Sequence, residues 1–97
     1  MRLDVYLKIT RLVPRRSGAA DLCRDGKVEA NGQPAKAARP VVTGDRLALS
    51  FPGRHLTVEV TAIPTAKNIP KAEAGTYYAV LDEQRFDFWG RRIEKKD

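Results

Sequence analysis

The sequence predicts an α+β fold, with two N-terminal helices packed on a small twisted, mostly antiparallel sheet. Three observations carry this. Apolar residues recur at helical spacing across residues 2–25, then alternate at period two from residue 27 onward. Asn31-Gly32 joins two short alternating stretches, and a type I′ hairpin turn needs positive φ at both of its central residues. A chain of 97 residues, 42% of them hydrophobic, can fill one core but cannot enclose a deep cleft between domains.

Residues 2–10 form the first helical candidate. Leu3, Tyr6 and Leu7 share a face, Val5 or Ile9 lies at its margin, and Arg2, Asp4 and Lys8 fall elsewhere. Val13-Pro14 ends it, because the residue before a proline is pushed out of the α region. Ser17 is suited to cap a second helix over residues 18–25, whose apolar face is Ala19, Leu22 and Cys23. Gly26 fits the left-handed residue that follows a helix end. So short a link should pack the helices as a hairpin and bring Arg2, Arg11, Arg15 and Arg16 together. Arg15 and Arg16 then stand at a helix N-terminus, where two permanently charged forks beside a positive half-dipole make an anion site.

From residue 27 the period changes. A strand over 27–30 points Val28 and Ala30 inward, the Asn31-Gly32 turn follows, and residues 33–38 are extended. Thr43-Gly44-Asp45 reads as a turn, with Asp45 bonding its own backbone. A strand over 46–51 carries Leu47, Leu49 and Phe51 on one side. After Pro52-Gly53, a strand over 55–63 turns Leu56, Val58, Val60 and Ala62 inward. Residues 64–75 hold two prolines and few apolar side chains, which reads as a mobile loop. A last strand covers 76–81, and the tail, 82–97, mixes Phe86, Phe88 and Trp89 with the basic end Arg91-Arg92-Ile93-Glu94-Lys95-Lys96.

Charge narrows the function. The net charge is +6, from 18 Lys/Arg against 12 Asp/Glu, and residues 1–46 hold ten of those cations against five acids. An excess confined to one half points to a polyanion-binding face there. Cys23 is the only cysteine, which excludes an intrachain disulfide and a zinc cluster. It falls on the apolar face of the second helix, as a small buried hydrophobe would. No apolar run approaches ~18 residues and the start MRLDVYLK lacks a signal-peptide core, so the reading is cytoplasmic with no membrane contact.

The chemistry of catalysis is missing. No nucleophile–base pair, metal set or glycine-rich phosphate loop assembles in the sequence, so no enzyme, cofactor or metal is expected. Asp4 reads as an ion pair or hydrogen bond that orients Arg11 or Arg16. His55, after a Pro-Gly turn, reads as a surface or edge histidine. Tyr77, Tyr78, Phe86, Phe88 and Trp89 either complete a small core or stack on bases.

The stretch from Arg2 to Leu49 resembles the RNA-binding domain first described in ribosomal protein S-four, the alpha-L motif. The matching pieces are Arg2-Leu3-Asp4 with Leu7, Arg16-Ser17 with Ala20, Gly26-Lys27-Val28, Asn31-Gly32 and Gly44-Asp45. In that superfamily the domain is usually an appendage of an enzyme, whereas here it starts at residue 2 and no catalytic domain follows. The chain is most similar to the stand-alone RqcP and heat-shock protein fifteen group. It lacks the long basic extension of the latter, and its ending RFDFWGRRIEKKD departs from the former.

That resemblance implies a non-catalytic protein that binds rRNA and tRNA on a free large ribosomal subunit still carrying peptidyl-tRNA. It further implies a role in ribosome-associated quality control and alanine tailing, with a tailing factor as a further partner and a monomer as the working form. Arg16 and Arg2 lead as phosphate contacts, with Arg15 and Ser17 beside them and Lys8, Arg11, Lys27, Lys36 and Arg39 flanking. An A-form helix offers phosphates and a shallow minor groove to such cations. Residues 1–50 would be the RNA-binding unit, 51–83 would complete the sheet, and 84–97 would form a basic, aromatic-containing tail. The alternative reading is a general RNA binder, or a protein-interaction adaptor using the sheet or the aromatic tail.

Overall fold

Helix α1 (Leu3–Ile9) starts one residue after Arg2, which stays extended at the N-cap with no side-chain cap. The first-turn amides are instead satisfied by a distant loop. In the computed structural model, which describes residues 1–86 and the backbone pairing of Arg92–Ile93, Leu3 N–H donates to Arg39 O (2.8 Å) and Asp4 N–H to Ala37 O (3.1 Å). Val5 N–H takes the Asp4 carboxylate (2.8 Å). Arg2 bridges Pro40 in an isolated antiparallel pair, so the start of the chain is sewn onto residues 37–40. That tie explains why the predicted extended stretch 33–38 is a strand only at Gln33–Pro34: the backbone beyond it is turned toward α1.

Helix α2 (Arg16–Arg24) begins two residues earlier than predicted. Its N-cap is Arg15, extended at φ −132, and Ser17 lies inside the first turn without capping. A serine cap is worth about 1 kcal/mol. Tertiary contacts outweigh it, since starting at Arg16 buries Ala19 and Cys23 and lets Arg16 reach Asp4. The helix ends as the sequence requires. Gly26 is left-handed at φ 74, its N–H donates to Cys23 O and that of Lys27 to Leu22 O, a Schellman closure.

Six strands form one antiparallel sheet: β1 (Val28–Ala30), β2 (Gln33–Pro34), β3 (Arg46–Phe51), β4 (Arg54–Val60), β5 (Tyr78–Phe86) and β6 (Arg92–Ile93), in the order β2-β1-β3-β4-β5-β6. Asn31 (φ 53) and Gly32 (φ 82) make the left-handed pair that the β1–β2 hairpin needs. Register places Leu49 opposite Val28 and Leu56, and Leu47 opposite Ala30 and Val58. This inner face, with Val60, packs on Leu3, Tyr6 and Leu7 of α1 and Ala19 and Cys23 of α2.

Three segments depart from expectation. β4 stops at Val60, because the Tyr77 carbonyl takes the N–H of both Thr61 and Ala62 and the ladder cannot continue. Ala62 is accordingly only half-buried rather than inward. β5 runs to Phe86 rather than 81, since β4 offers it backbone partners as far back as Arg54. Its polar residues 82–85 hide that pairing from any apolar period. Residues 64–75 are not a free loop. They lead into a 3-10 helix, Lys71–Thr76, and bury Ile69 and Ala74 with Ile9 in a second small cluster flanked by Val5 and Tyr77. Phe88, Trp89 and, apart from the Arg92–Ile93 pairing, the basic end of the tail lie outside the described residues.

The two clusters are joined through Tyr6, which is fully buried and whose hydroxyl donates to Tyr77 O at 2.7 Å. Tyr6→Phe removes that bond while Thr61 still serves the carbonyl, so the cost is about 1 kcal/mol. For a domain of this size the melting temperature falls by roughly 4–8 °C, measured by thermal unfolding of both proteins.

Candidate nucleic-acid interface

Asp4 lies at the centre of the site. Its side chain is 3% exposed, while those of Arg2 and Arg16 are 49% and 57% exposed. Arg2 donates from Nε to Oδ1 and from Nη2 to Oδ2, both at 3.1 Å. Arg16 donates from Nε to Oδ2 at 3.3 Å. Burial raises the carboxyl's pKa, but the hydrogen bonds from Arg2 and Arg16, the Arg2 charge and the Val5 amide outweigh it, and the net shift is downward. One buried charge therefore holds two exposed ones. Arg16 uses only its Nε–H, so both terminal amino groups of its guanidinium remain available for a ligand.

The expected partner of Asp4 was Arg11 or Arg16. The structure selects Arg16, adds Arg2, and sends Arg11 away. Arg11 is the left-handed residue (φ 63) after α1, and its Nη2 donates to Ile69 O at 3.3 Å. The predicted gathering of four arginines is thus a pair on Asp4, with Arg15 exposed at the N-cap of α2 beside it. Ser17 is exposed in that same turn, which no side chain caps.

The remaining candidates spread out. Lys8 and Arg11 line one cleft. Lys27 lines another with Ser50 and His55, and Lys36 a third with Ala20, Cys23 and Arg24. Arg39 is committed inward: it donates from Nη1 to Asp45 Oδ2 (2.9 Å) and to Pro40 O. Asp45 does serve its turn, accepting from Val42 N–H (3.0 Å), and it also accepts from Asn31 Nδ2 (3.0 Å). The Asn31 side chain closes the network by accepting from Arg46 N–H. Sequence reasoning missed this second role of Asn31; the only signal was an Asx residue in each of two turns that a sheet brings together. Elsewhere, burial raises the Cys23 thiol pKa, which keeps it protonated and inert. His55 is exposed and edge-on to Phe86 at 4.9 Å. Among the described residues no group of acids, histidines and cysteines could hold a metal ion. None of their helices is long and apolar enough to cross a membrane.

Comparison with known proteins gives the chain's family and fold. Residues 1–47 match the S4 domain model. Heat shock protein 15 of Vibrio cholerae, a trimer in its solved structure, superposes with a TM-score of 0.77 at 30% identity, over 84% of this chain and 81% of that one. The solution structure of the hypothetical protein HP1423 gives 0.73 at 35% identity, over 84% of this chain and 98% of that one. The domain match and the shared fold together define an S4-domain protein. Relatives from several bacteria carry the name RQC P-site tRNA stabilizing factor, three of them as follows. That of Halalkalibacterium halodurans is 40% identical over 84 residues, 87% of this chain and 93% of the relative. The Bacillus subtilis protein is 36% identical over 85 residues (88% and 96%), and the Helicobacter pylori J99 protein 38% over 79 (81% and 94%). The chain belongs to the family of RQC P-site tRNA stabilizing factors.

The Asp45 network gives the fold a pH dependence. Hydrogen bonding from Arg39, then from Val42 and Asn31, outweighs burial and lowers the Asp45 carboxyl from 3.8 to about 2. A depressed folded-state pKa means the stabilisation is complete above the unfolded value and is lost as pH falls from about 4 through about 2. In urea titrations Asp45→Asn should therefore be less stable by about 2 kcal/mol at pH 7, with the gap closing toward pH 2.

Proposed function

We propose that this chain is a non-catalytic RNA-binding protein of the ribosome, acting on the rRNA and tRNA of large subunits that still carry peptidyl-tRNA. In that role it supports ribosome-associated quality control and alanine tailing, as a cytoplasmic monomer working with a tailing factor. Residues 1–50 serve as the RNA-binding unit and 51–83 complete the sheet that supports it. The reading rests on family membership along most of the chain, and on one structural observation: Arg2 and Arg16 are held outward by a buried carboxylate.

The mechanism follows from that pair. A-form RNA presents phosphates at a shallow minor groove, so recognition is by charge and shape. A free arginine must give up rotamer entropy to meet a phosphate. Arg2 and Arg16 have already surrendered much of it to Asp4, and guanidinium forks suit phosphate oxygens. The neighbouring uncapped turn of α2 adds a positive half-dipole. Binding of this kind steadies a tRNA by holding backbone, with no base read and no bond made or broken.

The test is sedimentation of tagged wild type and Arg16→Ala through sucrose gradients of cell lysate. Wild type should run with large subunits and bring tRNA with it. Loss of charge-assisted bonds worth about 1.5–3 kcal/mol should weaken the variant roughly tenfold to a hundredfold and leave it near the top. Both proteins should release as salt rises. Equal co-sedimentation of the two, unaffected by salt, would refute the reading.

A further inference from the structure

A second concentration of positive charge lies outside the Asp4 pair. Where α1 ends, Lys8, Arg11, Lys67 and Lys71 line a single cleft with Asn68, over a floor formed by Ile9, Pro14 and Ile69. No carboxylate lines it, and none of the four cations forms a salt bridge among the described residues. Glu73, two residues beyond Lys71, does not line it either. Four like charges around one concavity repel each other unless an anion joins them.

The cleft is also built rather than incidental. Its far wall, residues 67–71, is anchored by Ile69 and Ala74 packing on Ile9 and by the Arg11 bond to Ile69 O. Arg11 holds a left-handed conformation, φ 63, at a helix end where glycine would avoid a cost of roughly 1 kcal/mol. Such an outlier points to a use for the side chain. Lys8 stands one turn beyond Asp4 on α1, so residues four apart place it about 5–6 Å from the Arg2–Arg16 pair's anchor. Helix α1 thus carries Arg2 at its start and, at its end, Lys8 on the rim of the cleft.

We propose that this cleft is a second RNA-backbone site, which takes a phosphodiester group through Lys8, Arg11, Lys67 and Lys71 and extends the Arg2–Arg16 contact. The proposal rests on the RNA-binding reading above and adds to it a segment, 67–71, that lies beyond the S4 match at residues 1–47. Residues 51–83 then do more than complete the sheet; they supply half of a contact.

The experiment measures binding to purified bacterial large ribosomal subunits by co-sedimentation at several salt concentrations. Wild type is compared with Lys67→Gln/Lys71→Gln, with Arg16→Ala, and with Arg24→Gln/Arg46→Gln, which removes the same two charges outside the cleft. Thermal melts confirm that each is folded. The cleft variant should lose roughly tenfold in affinity, and its salt slope should become shallower by about 1 for each lysine removed, with a smaller effect in the Arg24/Arg46 variant. If the cleft variant binds as wild type does, or no worse than the Arg24/Arg46 variant, the cleft is a solvated surface and the proposal is wrong. Should Arg16→Ala still weaken binding in that case, the RNA-binding reading survives without it. If wild type itself does not bind at low salt, both fail.

Discussion

A carboxylate that is almost fully buried between two exposed guanidinium groups is the interaction on which the rest of the structure depends. Asp4 can stay ionised there only because Arg2, Arg16 and the Val5 amide supply its hydrogen bonds. Removing a buried charge from water costs several kcal/mol, and that cost is met only by close partners. The three residues come from separate places: an extended N-cap, the first turn of α1 and the first turn of α2. The ion pair therefore fixes the angle between the helices as well as the direction of the two side chains.

The remainder of the fold holds that arrangement still. Residues 37–40 cap α1 through their carbonyls and pair with Arg2. Those residues are held in turn by Arg39 on Asp45, and Asp45 by the hairpin residue Asn31. A chain of polar contacts thus runs from the β1–β2 hairpin to the start of α1, where Arg2 and Asp4 stand. Beneath it, Leu47, Leu49, Val58 and Val60 form the sheet face on which Leu3, Tyr6 and Leu7 rest. Rigid support of this kind is what turns two flexible side chains into a preorganised site.

The local elements that were legible are those whose signal is itself local. The Asn31-Gly32 turn, the closure at Gly26 and the alternating strand 46–51 needed only backbone preference and a period of two. The start of α1 matched its apolar period to within a residue, whereas that of α2 was not legible, because contact with Asp4 moves it ahead of Ser17. Packing of Ile69 and Ala74 was hidden for a similar reason: two apolar residues five apart follow neither period, and the flanking prolines read as breakers. Of the candidate site, Arg16 and Arg2 could be named through the family resemblance, and Asp4 could be given an orienting role from its neighbours. That Arg11 leaves Asp4 and bonds the Ile69 carbonyl instead follows from one positive φ, which a non-glycine residue does not announce.

The central claim is that Asp4 acts on RNA binding through orientation, and charge counting makes the opposite forecast. Asp4→Asn raises the net charge of +6 by one unit, while the amide oxygen can still accept from Val5 N–H. If binding were set by the overall field, the variant would hold large subunits more tightly at every salt concentration. If Asp4 orients Arg2 and Arg16, a folded Asp4→Asn protein binds more weakly despite its extra positive charge. The decisive measurement is its affinity for purified large subunits beside wild type, with a melting curve to establish folding. Weaker binding is the expected result; tighter or equal binding by the folded variant would contradict the account.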